Sequence, residues 1–319
     1  MSAVLAAVAR AEPRVGIGIA LQGLGRAAVA ALHDELTLEP KPGLVSPRDS
    51  GSHTDMDAGT LMQSLFALRH GYRRLASLGA AGAGFDALAE AGRAAEARML
   101  RATGGVNSHR GAIFCLGLLC ASGGMLLAQG RPLHPAALRQ TLRRRWGAAL
   151  AAREAGEGGS KASMQRDDSG AALRLAAAAP SHGRAAAQAH GLRGANAEAA
   201  AGFPVLFEST LPALQAALGS GLTLRQARVQ ALFATMAVLD DTNLVHRGGL
   251  EGLRFAQGAA RDWLAAGGAG RAGAIDAARA LHRAFVARRL SPGGSADLLA
   301  AACWLQRVGG LAPRTDLRA

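Results

Sequence analysis

The sequence predicts an all-α protein, a single large multi-helix domain whose active site is formed by loops at helix N-termini. Three observations carry this. Half of the 319 residues are hydrophobic, but much of that share is alanine and only 4% of residues are aromatic, a balance that favours helix over sheet. Apolar residues recur at three- and four-residue steps through segment after segment. Two polar turns, GGVNSHRG at 104–111 and DDTNLVHRGG at 240–249, lead into helix-like sequence, so polar side chains stand beside unpaired N–H groups where anions bind.

Taken in order, residues 1–19 are expected to be weakly ordered, residues 20–310 to form the helical domain and 311–319 to be a tail. Leu21, Leu24, Ala28, Ala31, Leu32 and Leu36 predict a helix over 20–39, stopped by Pro40 because proline disfavours helical geometry in the residue before it. Glu35 and Glu39 share a face of its last turn, where the helix dipole repels acids. Lys41 or a metal would compensate them, and the alternative is a pair of solvated surface carboxylates.

The connection 40–57 is long for a loop between helices; three prolines and the gathering of Lys41, Arg48, Asp49, Ser52, His53, Asp55 and Asp57 argue for function rather than disorder. Asp57 suits the N-cap of a helix over 58–79, with Met56 as staple. Asp55, beside Asp57 and His53, offers oxygen ligands to a hard cation such as Mg²⁺.

Helices follow over 86–102, with Glu96 near the far end, over 111–129 and over 134–150. Residues 153–190 are rich in Gly, Ser and Ala and read as a mobile or partly helical excursion. Within it GEGGSKAS lacks the final glycine, the metal-binding hydroxyl and the preceding strand of a phosphate loop. GAGRAG at 268–273 likewise lacks its strand and reads as a helix-to-helix turn. HGLRGANAEAAAGFP contributes His190, Arg193, Asn196 and Glu198. A helix over 223–240, with Arg225 and Arg228 outward, delivers Asp240 and Asp241 to the second polar turn. After helices near 249–266 and over 272–290, Gly293, Gly294 and Ser295 open a last helix within 291–310; its N–H groups either cradle a phosphate or are satisfied by Ser295 or Asp297.

The formal charge is +13, and 34 of the 36 basic residues are arginine. Nucleic acid is an unlikely partner, because one Tyr and eight Phe offer little to stack on bases and no nucleic-acid fold motif is present; a polyanionic small substrate explains the sign equally well. Cys115, Cys120 and Cys303 suit neither a disulfide framework nor a zinc site and read as core. With no long uncharged apolar run and no export signal, a soluble, cytoplasmic protein without a membrane partner is expected.

ELTLEPKPGLVSPRDSGSHTDMD, GGVNSHRGAIF, DDTNLVHRGG and SPGGSADLLA, in this order between about residues 30 and 305, resemble the successive signatures of the triphosphoribosyl-dephospho-coenzyme A synthases. The first 20 residues and 153–190 carry none of the likeness. The resemblance implies an all-α cytoplasmic enzyme that joins the ribose of ATP to the 2′-hydroxyl of 3′-dephospho-coenzyme A. Adenine is released, and the product serves the acyl carrier subunit of malonate decarboxylase or citrate lyase by way of a carrier-protein holo-transferase. Cleavage builds positive charge at the anomeric carbon, which calls for carboxylates, while the triphosphate calls for Mg²⁺ and cations.

On that reading Asp241 or Asp55 is the base, and Glu35, Asp57 and Asp240 are the Mg²⁺ ligands. Lys41, Arg110, Arg247, Gly293, Gly294 and Ser295 bind phosphates, Asn107, His109, Asn243 and His246 orient ribose or adenine, and His53 is a further substrate-binding residue. A Mg²⁺-dependent N-glycosidic hydrolase and a non-catalytic nucleotide or RNA binder are the alternatives.

Overall fold

The computed structural model describes residues 2–156 and 189–309, with side chains from residue 16 onward. The excursion expected between 153 and 190 falls mostly outside the described residues, and the tail expected over 311–319 lies wholly outside them. The described residues form eleven α-helices and no strand. In chain order these are α1 (Ser2–Leu36), α2 (Ala58–Ala80), α3 (Phe85–Ala102), α4 (Arg110–Ala128), α5 (Pro135–Glu154) and α6 (Ala195–Ala200). A π-helical turn, Leu206–Thr210, runs into α7 (Leu211–Gly219); α8 (Leu224–Met236), α9 (Thr242–Ala265), α10 (Ala274–Ala287) and α11 (Gly293–Val308) complete the chain.

α4 is the hub. It packs against α1, α2, α3, α5 and α11, and it is apolar around its circumference because every side faces protein. Against the expectation of no long uncharged apolar run, α4 alone among the described helices is long and apolar enough to cross a membrane, and 72% of that window is buried inside the protein. Where α2 crosses α4 the backbones touch: a β-carbon on Gly79 would lie 1.9 Å from the Ala121 carbonyl oxygen, and one on Gly124 would lie 1.9 Å from that of Ala76. The glycines inside this apolar stretch therefore serve close packing. Cys115, Cys120 and Cys303 are free and buried in the same core, as expected.

α11 ties the two halves of the chain together. Its buried run Leu298–Leu305 packs on α1, α4 and α8, and Trp304 Nε1 donates to the Leu24 carbonyl at 3.1 Å. In the second half Phe233 and Trp263 stack at 4.0 Å between ring centroids, joining α8 to α9.

Several boundaries differ from the sequence expectation. The first helix runs Ser2–Leu36, starting well before residue 20 and ending ahead of Pro40. Arg228, expected outward, turns in to pair with Asp34 at 2.8 Å, and Arg307 joins the same carboxylate, which locks α8 and α11 to α1. α9 begins at Thr242, inside the stretch read as a turn, and is broken at Gly248–Gly249, where Gly249 takes a left-handed φ of 62°. GAGRAG does form a helix-to-helix turn, with a 3₁₀ segment at Gly268–Gly270.

Candidate functional site

Three helix N-termini meet through two carboxylates. Asp241, 1% exposed, is the N-cap of α9 and accepts the Asn243 N–H at 3.1 Å. Its other oxygen accepts the N–H and the hydroxyl of Ser295 at 2.9 and 3.0 Å, and the Gly294 N–H also reaches it. One side chain thus caps α9 and α11 together. Burial raises its carboxyl pKa against the opposing pull of these donors. Ser295 and Gly294, expected to cradle phosphate, spend these N–H groups on Asp241. Gly293 packs against the Asn243 amide.

The first turn of α11 then supplies the cap that α4 lacks. His109, the N-cap of α4, makes no side-chain capping bond; instead the Ala112 N–H bonds Asp297. Asp297 Oδ2 sits so close that a β-carbon on Gly111 would lie 1.9 Å from it, which explains a glycine at this point of the signature. Burial, then the nearby charges of Asp241 and Glu35, push the Asp297 carboxyl well above the usual carboxylate range. Asp297 is half-buried.

Lys41 is the cation of this junction. It is 2% exposed, and its Nζ donates to the Glu35 carboxylate at 2.6 Å and to the Glu35 carbonyl at 2.7 Å. The compensation expected at the end of α1 is therefore a buried ion pair. Beside it stands His109, 5% exposed, with Nδ1 2.6 Å from Ser64 Oγ and Nε2 without a partner among the described residues. Ser108 Oγ donates to Ser64 Oγ at 2.8 Å. Burial, then the Lys41 charge, push the His109 pKa down to about 4, so the ring is neutral at physiological pH.

A second cluster clasps the loop 40–57 to the segment before α11. His53 Nε2 lies 2.9 Å from Ser291 Oγ, and its Nδ1 faces Arg247 Nη2 at 3.0 Å and Asp55 at 3.3 Å. Arg247 also donates to the Ser52 and Arg289 carbonyls, and Ser52 Oγ donates to the Leu290 carbonyl at 2.6 Å. Burial and then Arg247 lower the His53 pKa, with Asp55 opposing them. His282, on α10, fastens the loop further through the Lys41 carbonyl at 2.9 Å and Asp49 at 3.2 Å. A lone histidine in an amphipathic helix gave no signal for this role.

The remaining expected site residues lie apart from the junction's buried centre. Arg110 turns outward to Glu96, and Asn107, Asn243 and His246 are exposed. Asp57 caps α2 through Thr60 at 2.8 Å, as expected. Asp240 accepts the Arg193 N–H and lines a cavity of about 650 Å³ with Leu192, Glu198 and Val205. Glu35, Asp57 and Asp240 are thus engaged at three separate places, and no set of three His, Cys, Asp or Glu among the described residues gathers as a metal site. The metal-ligand grouping read from the sequence does not fit this arrangement.

Neighbouring carboxylates, helix N-termini and a buried lysine in one junction are the furniture of group transfer between phosphorylated substrates, and the comparisons assign the class: an all-α transferase. The family model described as ATP:dephospho-CoA triphosphoribosyl transferase matches residues 21–315, and the chain belongs to that family. Among curated relatives, a probable 2-(5''-triphosphoribosyl)-3'-dephosphocoenzyme-A synthase of Azotobacter vinelandii is 38% identical over 88% of this chain and 89% of its own length. Its counterpart in Pseudomonas paraeruginosa is 39% identical over 93% and 94%. The 2-(5''-triphosphoribosyl)-3'-dephosphocoenzyme-A synthase of Pectobacterium atrosepticum is 37% identical over 85% and 84%. No solved structure matches the chain.

Proposed function

We propose that the protein transfers the 5-triphosphoribosyl group of ATP to the 2′-hydroxyl of 3′-dephospho-coenzyme A and releases adenine. The observation that carries this reading is the junction at which Asp297 and Asp241 stand beside the α4 N-terminus and the Glu35–Lys41 pair. Breaking the ribose–adenine bond builds positive charge at the anomeric carbon, which nearby carboxylates stabilise. Helix N-termini and cations answer the triphosphate.

The hydroxyl oxygen attacks the anomeric carbon as the bond to adenine breaks, in one displacement with inversion. The hydroxyl proton passes to a carboxylate and is made good on the departing adenine. Asp241 has its lone pairs filled by four donors. Asp297, with one N–H partner against the four on Asp241, is the better base, and burial with the neighbouring charges of Asp241 and Glu35 makes it more basic than an exposed carboxylate. Asp55 is left to the loop. Lys41, Arg247 and the α4 N-terminus serve phosphates, and Asn107 and Asn243 serve ribose or adenine. Mg²⁺ is read as arriving on the triphosphate of ATP.

The product is read as passing, in the cytoplasm, to a holo-transferase that loads the carrier subunit of malonate decarboxylase or citrate lyase. Free adenine, followed by chromatography with Mg²⁺ present, tests the reaction. It is expected only when ATP and dephospho-coenzyme A are both supplied. Adenine or ribose released from ATP without the acceptor would make the protein a hydrolase, and no release would remove the transferase reading.

A further inference from the structure

His109 is the one histidine of the junction whose free edge is sealed from solvent. Its ring hangs at the N-terminus of α4, 5% exposed, beside the Lys41 charge. A buried ring nitrogen without a partner is costly unless a ligand completes it. Which nitrogen carries the proton follows from the hydroxyls behind it. Ser64 Oγ accepts from Ser108 Oγ at 2.8 Å and lies 2.6 Å from His109 Nδ1. Ser64 is fully buried and has a single hydroxyl hydrogen. Among the described residues Nδ1 is the only neighbour left to accept it; otherwise that hydrogen would be buried without a partner. Nδ1 is therefore an acceptor, and the ring proton sits on Nε2.

We propose that Ser108 and Ser64 form a positioning relay that holds His109 as an uncharged Nε2–H donor to a phosphate oxygen of the bound triphosphate, at the α4 N-terminus. The helix dipole and Lys41 favour an anion there, and a neutral donor adds a directed hydrogen bond where a second positive charge would be repelled by Lys41. This rests on the triphosphoribosyl-transfer reading for the identity of the anion, and on this chain's hydroxyls alone for the state of the ring.

The test is nitrogen NMR of the full-length protein labelled at histidine, between pH 5 and 8, alone and with ATP or inorganic tripolyphosphate. The expected result is a non-titrating His109 protonated on Nε2, whose Nε2 signal shifts with either ligand. A wild-type ring protonated on Nδ1 overturns the relay. A response to ATP but not to tripolyphosphate, or to neither, overturns the phosphate contact. Ser64→Ala and the outer variant Ser108→Ala are expected to mix the tautomers and to raise KM for ATP, by about tenfold for Ser64→Ala, while KM for dephospho-coenzyme A stays constant and Ser64→Thr restores both readouts. Unchanged tautomer and unchanged KM in folded Ser64→Ala also overturn the proposal. If the wild-type protein releases no adenine with both substrates, the reaction fails, while the tautomer measurement still decides the relay.

Discussion

The two polar turns look alike as strings and fold differently. In GGVNSHRG the glycine turn comes first, α4 starts at Arg110, and His109 is its N-cap, buried behind Ser64. In DDTNLVHRGG the cap comes first: Asp241 starts α9 at Thr242, so His246 and Arg247 already lie one turn inside the helix and are exposed before Gly248–Gly249 breaks it. The arginines diverge accordingly, Arg110 to a surface glutamate and Arg247 across to His53 and the loop 40–57. The position of the capping residue relative to the His–Arg pair decides whether the histidine joins the buried junction or the outer clasp.

That contrast breaks first at Asp241. Asp241→Ala strips acceptors from two helix starts at once and is expected to cost about 4 kcal/mol, read as a lowered denaturation midpoint. The helix starts bound to this residue make it an organiser first; an Asp241→Ala protein of unchanged stability would return it to the list of bases. Asp297→Asn should leave the fold intact and lower adenine release at least about a hundredfold, measured as kcat/KM.

The same residue has a signature in stability against pH. A carboxyl whose folded pKa is raised stabilises the fold fully below its ordinary pKa, and that contribution is lost as pH rises through the folded value. Asp297→Asn should therefore remove part of the decline in wild-type stability above the ordinary aspartate range, followed by urea melts at several pH values.

At the outer clasp the effects shrink. Arg247→Ala is expected to cost about 1 kcal/mol and to raise the His53 pKa, visible by proton NMR, because the charge that holds it down is gone. Arg110→Ala, which breaks a surface pair with Glu96, should change stability by less than about 0.5 kcal/mol, measured by the same melts.

Most of the helical framework was legible because amphipathic periodicity is local. The Leu21–Leu36 stripe, the Asp57 cap and the wholly apolar α4 are each written within a few consecutive turns. What could not be read was polar pairing at long range. Nothing local in α8 says that Arg228 folds back to Asp34, nothing in α2 singles out Ser64 as the partner of His109, and nothing in α11 marks Asp297 as the cap of α4 rather than of its own helix. Asp241 and Asp297 hold the turns at 104–111, 240–249 and 291–297 together, a pairing that no local pattern marks.

The bare backbone contact at Gly79, Ala121 and Gly124 has a mechanical consequence. With no side chain between them, α2 and α4 have no room to slide or roll, so the two behave as one slab. Ser64 rides on one helix and His109 stands at the head of the other, and their 2.6 Å spacing is inherited from a crossing a dozen or more residues away. Even a single methyl inserted at that crossing would be felt as a misaligned imidazole long before the fold gave way.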